Sequence, residues 1–414
     1  MHVTHKRRDP VLTIFYHFDP WASGVGGIDT MIRHWVRHTP PRLAVRMVGV
    51  GGEGDRPGRW RDAEFGGRAI RFLPVVTQTD LNLRRRIPHT LRYTWALARH
   101  GATLASDFMH FHRIEPAVAM RGWPGHKTLF FHLDLPRQLS APRAVNEYGW
   151  RRCPAAYHAM ERSLIGRFDE VVDCNRASLA FHQQRHPHLM DRLRFMRNCV
   201  DTDIWQALPP AARDARRREL AERLRLPSGT RFVLFAGRLQ RTKNPLLALR
   251  AFAALGRAGV HLLCVGDGNL RDAVIADLRR LGLQGRVWLP GALPQDQVRE
   301  LQRVSDVSLM TSSQEGFPLA ALESLACGTP LVTTRVGEVP AFLPDDAGIV
   351  CDDARPEAIA AALRRVLDDR HAYPARACVR VAVPYAAGQV IGDAWQRWLA
   401  PWSPRRDILA GTTA

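Results

Sequence analysis

The sequence predicts an α/β protein of two domains, each with a doubly wound parallel sheet between helices. Its 414 residues are enough for two domains of ordinary size. Short apolar runs typical of buried strands alternate along the chain with apolar stripes at helical spacing, as parallel sheets require. We place the first domain at residues 1–205, the second at 206–385, a further helix at 386–402 and a tail at 403–414.

The composition is that of a globular protein, with 46% hydrophobic and 24% charged residues. Lys and Arg number 59 against 40 Asp and Glu, and the charge of +19 attracts nucleic acid, anionic membrane or acidic substrates without choosing among them. Seven scattered cysteines without a C-x-x-C pair argue against disulfides and zinc, and favour a reducing cytoplasm. No apolar run reaches about 18 residues, and the short run near the start is unlike a signal peptide.

The first domain opens with a predicted strand at 11–16, followed by a glycine loop and a helical stripe. Gly26 and Gly27 lie in that loop, where backbone amides can approach a phosphate closely. Further strands are predicted at 43–50 and 69–75. We interpret residues 51–67, rich in Gly and Arg, as a surface segment between them.

A basic amphipathic helix is predicted next. Its apolar stripe is formed by Leu83, Ile87, Leu91, Trp95 and Ala98, and Arg85, Arg92 and Arg99 recur every seven residues. We interpret the stripe as packed on the core and the arginines as a solvated face. The alternative is a helix that lies on a membrane surface.

Two strands, at 107–112 and 128–133, each place a histidine at or near their ends, His112 and His132. The carboxyl ends of parallel strands are where open sheets bind ligands, so both are candidate site residues. A helix at 157–168 carries Glu161, and a strand at 170–174 follows it. The Pro- and Arg-rich segment 209–218 is interpreted as a hinge.

The second domain begins with a buried strand at 231–236, followed by Gly237, Arg238 and Lys243. Farther along, the strand at 306–310 is followed by a loop with Glu315 and Gly316. Pro318 suits the first position of the next helix, Glu323 lies inside it, and Gly328 and Pro330 end it. The amides of Phe317, Leu319 and Ala320 are free at this helix start, and such a start favours phosphate.

Glu315 and Glu323, in a strand–Gly-Phe-Pro–helix–Cys-Gly-Thr-Pro–strand setting, resemble the E-x7-E motif of retaining glycosyltransferases of the family-4 type. The resemblance implies the GT-B fold, in which two Rossmann-like domains face a cleft and a C-terminal helix, here 386–402, returns to the first domain. It is specific over residues 230–340 and looser over the first 200.

The resemblance also implies roles for single residues. Glu323 binds the ribose of a UDP- or GDP-sugar, and Glu315 lies beside the donor sugar. The diphosphate is held by Gly316, Phe317, Leu319, Arg238 and Lys243, and the two cations stabilise the leaving group. His132 reaches the donor sugar, and Gly26 and Gly27 contact donor phosphate or acceptor. The set with catalytic roles is Glu315, His132, Arg238 and Lys243.

The roles of two residues, Glu161 and Asn175, remain open in this comparison with the family. Glu161 corresponds to a glutamate that helps position the acceptor, with a solvated helix carboxylate as the alternative. Asn175 stands where the family has Ser after a strand. Asp201 and Asp203 are interpreted as part of the inter-domain stretch rather than as a metal-binding pair, and neither a metal nor a cofactor is expected.

The excess positive charge lies in the first domain. Residues 1–200 hold 31 Lys and Arg against 17 Asp and Glu, and the remainder 28 against 23. We therefore expect a hexosyltransferase that is peripheral at the cytoplasmic membrane face and acts on a lipid-linked saccharide, as in bacterial exopolysaccharide or lipopolysaccharide assembly. The alternatives are a soluble acceptor, a phosphorylase-like or non-catalytic protein, and a nucleic-acid binder. Against the last, no helix-turn-helix, RRM or zinc-finger pattern is evident.

Overall fold

The structure, a computed structural model, describes residues 9–21, 26–77, 89–132, 136, 150 and 153–402. These residues divide into two compact units. The first comprises the described parts of 1–135, 150–196 and 390–402, and the second contains 197–389. Each unit has its own sheet, so the predicted class of two α/β domains is confirmed.

The sheet of the first unit has eight strands in the order β3-β4-β2-β1-β5-β6-β7-β8. Their bounds are β1 (Val11–Phe15), β2 (Ala44–Gly51), β3 (Arg61–Phe65), β4 (Arg68–Thr77), β5 (Phe108–Phe111), β6 (His126–Phe131), β7 (Glu170–Asp173) and β8 (Leu193–Phe195). All neighbouring pairs are parallel except β3–β4, which is antiparallel. β3 lies within residues 51–67, which we interpreted as a surface segment, and it is a strand that the sequence analysis did not predict. It escaped prediction because three of the five residues of this edge strand are charged and only Phe65 is buried.

Four α-helices are described in the first unit before its terminal helix. They are α1 (Gly27–His38), α2 (His89–His100), α3 (Pro154–Leu164) and α4 (Arg176–Arg185). α1 buries Met31, Ile32, Trp35 and Val36 at helical spacing, which anchors it on the sheet. The start of α1 is thereby fixed next to the carboxyl end of β1.

The sheet of the second unit has six strands, all parallel, in the order β11-β10-β9-β12-β13-β14. They are β9 (Arg231–Ala236), β10 (Val260–Val265), β11 (Val287–Gly291), β12 (Val307–Met310), β13 (Leu331–Thr334) and β14 (Gly348–Cys351). The helices are α5 (Pro210–Arg223), α6 (Pro245–Leu255), α7 (Arg271–Arg280), α8 (Gln295–Val304), α9 (Leu319–Ala326), α10 (Val339–Phe342), α11 (Pro356–Asp368) and α12 (Ala375–Ala382). Because β9 and β12 are neighbours, the loops that follow them leave the same edge of the sheet.

The returning helix predicted at 386–402 is α13 (Ala387–Leu399), which belongs to the first unit from Val390 onward. The Trp395 ring packs edge-on against Phe108, with 5.2 Å between centroids. The Trp398 indole donates a hydrogen bond of 2.6 Å to Glu170, whose other oxygen lies 2.8 Å from Arg397. A buried carboxylate paired in this way holds the helix in one position.

Two boundary predictions need correction. Residues 197–205 belong to the second unit, because Val200 exchanges backbone hydrogen bonds with Tyr385 and Ala387 there. The predicted hinge at 209–218 lies largely in helix α5, which is fixed to the second unit: Asp306 accepts hydrogen bonds from Arg217 at 3.1 Å and from the Phe232 amide at 2.8 Å. In the sequence, the Pro and Arg residues in the first turns of α5 resemble the composition of a linker, and the segment was interpreted as a hinge for that reason.

Among the described residues, no helix is both long and apolar enough to cross a membrane.

Candidate functional site

The predicted site residues of the second unit converge on the carboxyl edge of its sheet. Lys243, in the loop after β9, places its ammonium 2.6 Å from a carboxylate oxygen of Glu315, in the loop after β12. The Ser312 hydroxyl donates to the same oxygen at 2.6 Å. The Ser313 amide donates to the Thr242 carbonyl at 2.8 Å, so backbone as well as side chains join the two loops.

Arg238 lies on the same loop as Lys243. It is exposed and, in the part of the chain that the structure describes, makes no ion pair. Its position depends on the turn after β10: a Cβ at Gly266, where φ is +139°, would overlap the Gly237 carbonyl oxygen. Leu239 also donates its amide to Asp267 at 2.8 Å. A Cβ at Gly268 would likewise overlap the Leu239 carbonyl oxygen, so both glycines of the turn Gly266-Asp267-Gly268 are needed for the two loops to pack.

Helix α9 begins at Leu319, and Pro318 is the residue before it. The prediction that Pro318 occupies the first position of the helix is therefore wrong by one residue. The loop ahead of it is held on both sides. The Phe317 carbonyl accepts a hydrogen bond of 2.8 Å from Asn198, and the Gly316 carbonyl accepts one of 3.1 Å from the Glu338 amide. The first amides of α9 are thus presented by a fixed loop, where an anion can bind them.

Glu323 lies one turn inside α9. Burial raises the pKa of its carboxyl to about 7, although the charge of Lys243 acts in the opposite direction. The ammonium of Lys243 therefore acts on both glutamates of the motif. A pocket at this edge of the sheet has Gly237, Lys243, Ser312, Glu315 and Ala320 among its lining residues.

Glu338 is a residue of this edge that our sequence analysis missed. It follows β13, it is buried, and its amide holds the Gly316 loop. Gly337 has φ of +52°, and a Cβ there would overlap the Gly316 carbonyl. A carboxylate just past the end of a buried strand, after a glycine, was the available signal.

In the first unit, Gly26 and Gly27 are located where the loop meets α1. Gly26 precedes the helix with an ordinary extended φ of −96°, and its amide donates to Asp29 at 2.7 Å. Thr30 in turn donates its amide to the Gly26 carbonyl at 3.0 Å. One of the amides predicted to meet a phosphate is therefore already bound to a carboxylate.

His112 and His132 follow the neighbouring strands β5 and β6, and the structure brings them together. Their Nδ1 and Nε2 atoms, respectively, are 2.8 Å apart, and the two rings lie edge to edge, with their planes 18° apart and their centroids 5.1 Å apart. Burial lowers the pKa of His132 to about 4 and that of His112 well below its ordinary value. Both rings are therefore neutral at neutral pH.

Glu161 is not a solvated carboxylate, which overturns one of the two interpretations offered for it. It is fully buried, 2.7 Å from His186 Nε2 and 3.2 Å from His158 Nδ1. Burial raises its pKa, but the hydrogen bond from His186 and the positive neighbours hold the pKa below the ordinary value. Asn175 accepts a hydrogen bond of 3.0 Å from the Ser178 amide and so caps α4, which a Ser can also do.

Asp201 and Asp203 form a turn: the Asp203 amide donates to the Asp201 carboxylate at 3.1 Å. Within the described ranges, no group of three or more His, Cys, Asp or Glu has an arrangement that could hold a metal ion.

The predicted stripe of the basic helix is not packed on the core. In α2, Leu91 is 53% and Trp95 63% exposed, whereas Tyr93, Thr94 and Leu97 are buried. The Arg99 guanidinium lies 3.7 Å from the Trp95 ring centroid. Val118, on the 3-10 turn Glu115–Met120 that packs against α2, is also 56% exposed. Leu83, Arg85 and Ile87 lie outside the described residues.

The second unit also carries a recognisable family pattern. Residues 216–379 match the family model described as glycosyl transferases group 1. That range contains Arg238, Lys243, Glu315 and Glu323. Among curated relatives, the D-inositol 3-phosphate glycosyltransferase of Thermobispora bispora is 35% identical over 191 residues, 43% of each chain. The chain spans about half the length of the curated relatives it matches.

Solved structures resemble almost the whole chain. Sucrose-phosphate synthase from Thermosynechococcus elongatus superposes with a TM-score of 0.74 at 17% identity, covering 95% of this chain and 100% of that one. The Anabaena protein HepE, solved with UDP and glucose, superposes with a TM-score of 0.70 at 16% identity, covering 94% of this chain and 99% of that one. At such identity the likeness establishes the fold, and it confirms the predicted GT-B class.

Proposed function

We propose that the protein is a glycosyltransferase that transfers a hexose from a nucleotide sugar. The observation that carries this proposal is the convergence of Lys243, Glu315 and Glu323 at the start of α9, on the carboxyl edge of the second sheet. The family match over residues 216–379 supports it, as does the presence of UDP and glucose in a structure of the same fold.

The chemistry follows from the charges at this edge. A diphosphate beside α9 would meet the free amides of Leu319 and Ala320, the guanidinium of Arg238 and the ammonium of Lys243. Positive charge placed where the leaving diphosphate develops negative charge lowers the barrier to transfer. Lys243 is already oriented by Glu315, so little has to be reorganised when the donor binds.

The two glutamates have different proposed roles. Glu323, with its raised pKa, is the acceptor for ribose hydroxyls, and Glu315 lies beside the donor sugar, as in the family-4 E-x7-E motif. We further propose that the transfer retains the anomeric configuration and requires no metal. A donor phosphate oxygen then takes the proton of the acceptor, and the protein contributes position and charge.

The donor can be identified by thermal unfolding with UDP-, GDP- and ADP-sugars, because a ligand present at 100 times its Kd adds about 2.7 kcal/mol to the free energy of unfolding. We expect the sugar nucleotides of one base to raise the midpoint temperature of unfolding, and the Lys243→Ala substitution to reduce that rise. If no nucleotide sugar stabilises the protein but free phosphate with a polysaccharide does, the phosphorylase-like alternative holds instead.

For the acceptor, we propose a lipid-linked saccharide at an anionic membrane surface, as in bacterial exopolysaccharide or lipopolysaccharide assembly. Leu91 and Trp95 on α2 and Val118 on the 3-10 turn packed against it are exposed apolar side chains, which we call the α2 patch, and Arg92 and Arg99 lie on the same helix. Apolar side chains with flanking arginines suit the boundary between headgroups and acyl chains. The excess of basic residues in the first 200 positions supports the same location, at about 1 kcal/mol for each one near the leaflet.

A further inference from the structure

The hydrogen bond between His112 and His132 determines which nitrogen of His132 carries its proton. Both rings are neutral, so each carries one N–H. The contact between Nδ1 of His112 and Nε2 of His132, at 2.8 Å, needs a single hydrogen between them. Either His112 donates from Nδ1, or His132 donates from Nε2.

The far nitrogen of His112 decides between the two arrangements. Its Nε2 is buried and has no hydrogen-bond partner within the described residues. If His132 were the donor, this Nε2 would carry a hydrogen and become a buried N–H without an acceptor. If His112 donates from Nδ1, its Nε2 carries no hydrogen and has only a lone pair that no donor uses. Buried N–H groups without partners are rarer in proteins than acceptors with spare lone pairs.

We propose that His112 is a positioning residue that fixes His132 as the Nδ1–H tautomer. His112 is 4% exposed, and Phe130 packs on its ring with the two planes 15° apart and the centroids 5.1 Å apart. The tautomer of His132 follows from its contact with His112, because the buried Nε2 of His112 has no partner among the described residues and its Nδ1 therefore carries the hydrogen.

This tautomer limits what His132 can do for a substrate. Its Nε2 is occupied by His112. The residue is partly exposed, and its Nδ1 has no hydrogen-bond partner among the described residues. His132 therefore presents an N–H to a substrate oxygen and offers no free lone pair. It is a hydrogen-bond donor at the edge of the first sheet, not a general base. The role toward a sugar hydroxyl rests on the proposed function, whereas the tautomer does not.

The tautomer can be read directly by NMR of the full chain labelled with ring-15N histidine, in which each tautomer gives a distinct pair of nitrogen shifts. The His132 resonances are assigned as those lost in His132→Gln. We expect the Nδ1–H form near pH 7. A protonated Nε2 in the unsubstituted protein would overturn the proposal without bearing on whether the protein is a transferase.

Substitutions at His112 test whether that residue is the cause. His112→Asn keeps an N–H donor at the position of Nδ1, so His132 should remain Nδ1–H. His112→Asp offers only an acceptor, so His132 should change to Nε2–H and its pKa should rise. His371→Asp, at an exposed histidine, is the matched control and should change neither. An unchanged tautomer in folded His112→Asp would show that His112 does not set it.

Activity gives the second measurement once a donor is known. We expect kcat of His112→Asp to fall on the order of tenfold to a hundredfold below that of His112→Asn, with the KM of the donor little changed. Equal kcat values in the two variants, despite different tautomers, would contradict a role of the His132 N–H in transfer. Absence of transfer in the unsubstituted protein would count against the proposed function alone.

Discussion

The ammonium of Lys243 lies 2.6 Å from the Glu315 carboxylate and also acts on the partly buried Glu323. One cation therefore serves both glutamates of the candidate motif. Because a donor diphosphate would compete with Glu315 for the same ammonium, the pair links binding of the leaving group to the position of the carboxylate proposed to lie beside the sugar.

Lys243→Ala should weaken binding of the correct nucleoside diphosphate by about 1.5–3 kcal/mol, the usual contribution of a hydrogen bond to a charged group. Glu323→Ala should cost a similar amount, through the ribose. Titration calorimetry measures both. Arg241→Ala, an exposed arginine on the same loop, serves as the control and should bind normally. Unchanged affinity in both Lys243→Ala and Glu323→Ala would refute the assignment of the nucleotide end.

Nucleotide affinity should increase with pH through the pKa of Glu323, about 7. Above that pH the side chain is a carboxylate and accepts stronger hydrogen bonds from ribose hydroxyls than the neutral acid. The phosphate of the ligand titrates in the same region, so the experiment compares the protein with Glu323→Gln, in which only the ligand contributes. Identical pH profiles for the two proteins would exclude Glu323 from ribose binding.

The same group predicts how stability changes with pH. The ordinary pKa of a glutamate, 4.5, applies to Glu323 in the unfolded chain, and burial raises it to about 7 in the fold, so the folded state holds the proton more tightly. This difference in pKa contributes on the order of 2–3 kcal/mol to the free energy of unfolding. The contribution is fully present below pH 4.5 and is lost as the pH rises through 7. Denaturant unfolding at pH 5 and pH 8 should show a smaller decrease for Glu323→Gln than for the unsubstituted protein.

Gly266→Ala should destabilise the second unit by on the order of 3 kcal/mol, since it combines a disfavoured φ with overlap against the Gly237 carbonyl. Displacement of that loop should also weaken nucleotide binding through Arg238 and Lys243. Gly229→Ala is the control, because a Cβ there meets nothing within 4 Å and its φ is not positive. Equal midpoints for the two variants in urea would show that the turn tolerates a side chain.

The α2 patch should bind anionic vesicles. In co-sedimentation, Trp95→Ser should weaken binding at every salt concentration, whereas Arg92→Gln with Arg99→Gln should weaken it and reduce its salt dependence. Arg218→Gln with Arg223→Gln, two exposed arginines of α5, removes the same charge elsewhere and should have little effect. Equal binding to neutral and anionic vesicles, or to neither, would leave the lipid-linked acceptor without support.

His132→Ala should lower kcat with little change in nucleoside diphosphate affinity, because the proposed diphosphate contacts are all in the second unit. Single-turnover kinetics and calorimetry separate the two effects. A full transfer rate in His132→Ala would make the histidine a purely structural residue.

The parallel sheets and the Lys243–Glu315 edge were predictable because they depend on local order: a buried strand, then a loop, then a helix start. Apolar periodicity predicts that α2 has an apolar side, but it does not show whether that side is covered, so Leu91 and Trp95 were misassigned to the core. β3 has three charged residues among its five, so the run of apolar residues that marks a buried strand is missing there.

Contacts between residues distant in sequence were the least predictable. Glu170 reads as the first residue of a strand, and nothing nearby indicates that Trp398 and Arg397 bind it. The His112–His132 bond could be suspected from two neighbouring strand ends, but not its atoms. Glu161 is paired in the interior with His182 of α4 and His186 of the following turn, and its own sequence neighbourhood does not indicate these contacts.

The placement of α13 has a consequence for synthesis on the ribosome. Trp395 and Trp398 complete the core under Phe108 and Glu170, yet they are translated after every residue of the second unit. The first unit therefore keeps an apolar surface exposed until α13 has been synthesised, although most of this unit leaves the ribosome first. The second unit can fold earlier, because all of its strands have been translated by then. Nascent chains stalled before residue 390 should accordingly bind chaperones through the first unit, and release past residue 402 should end that binding.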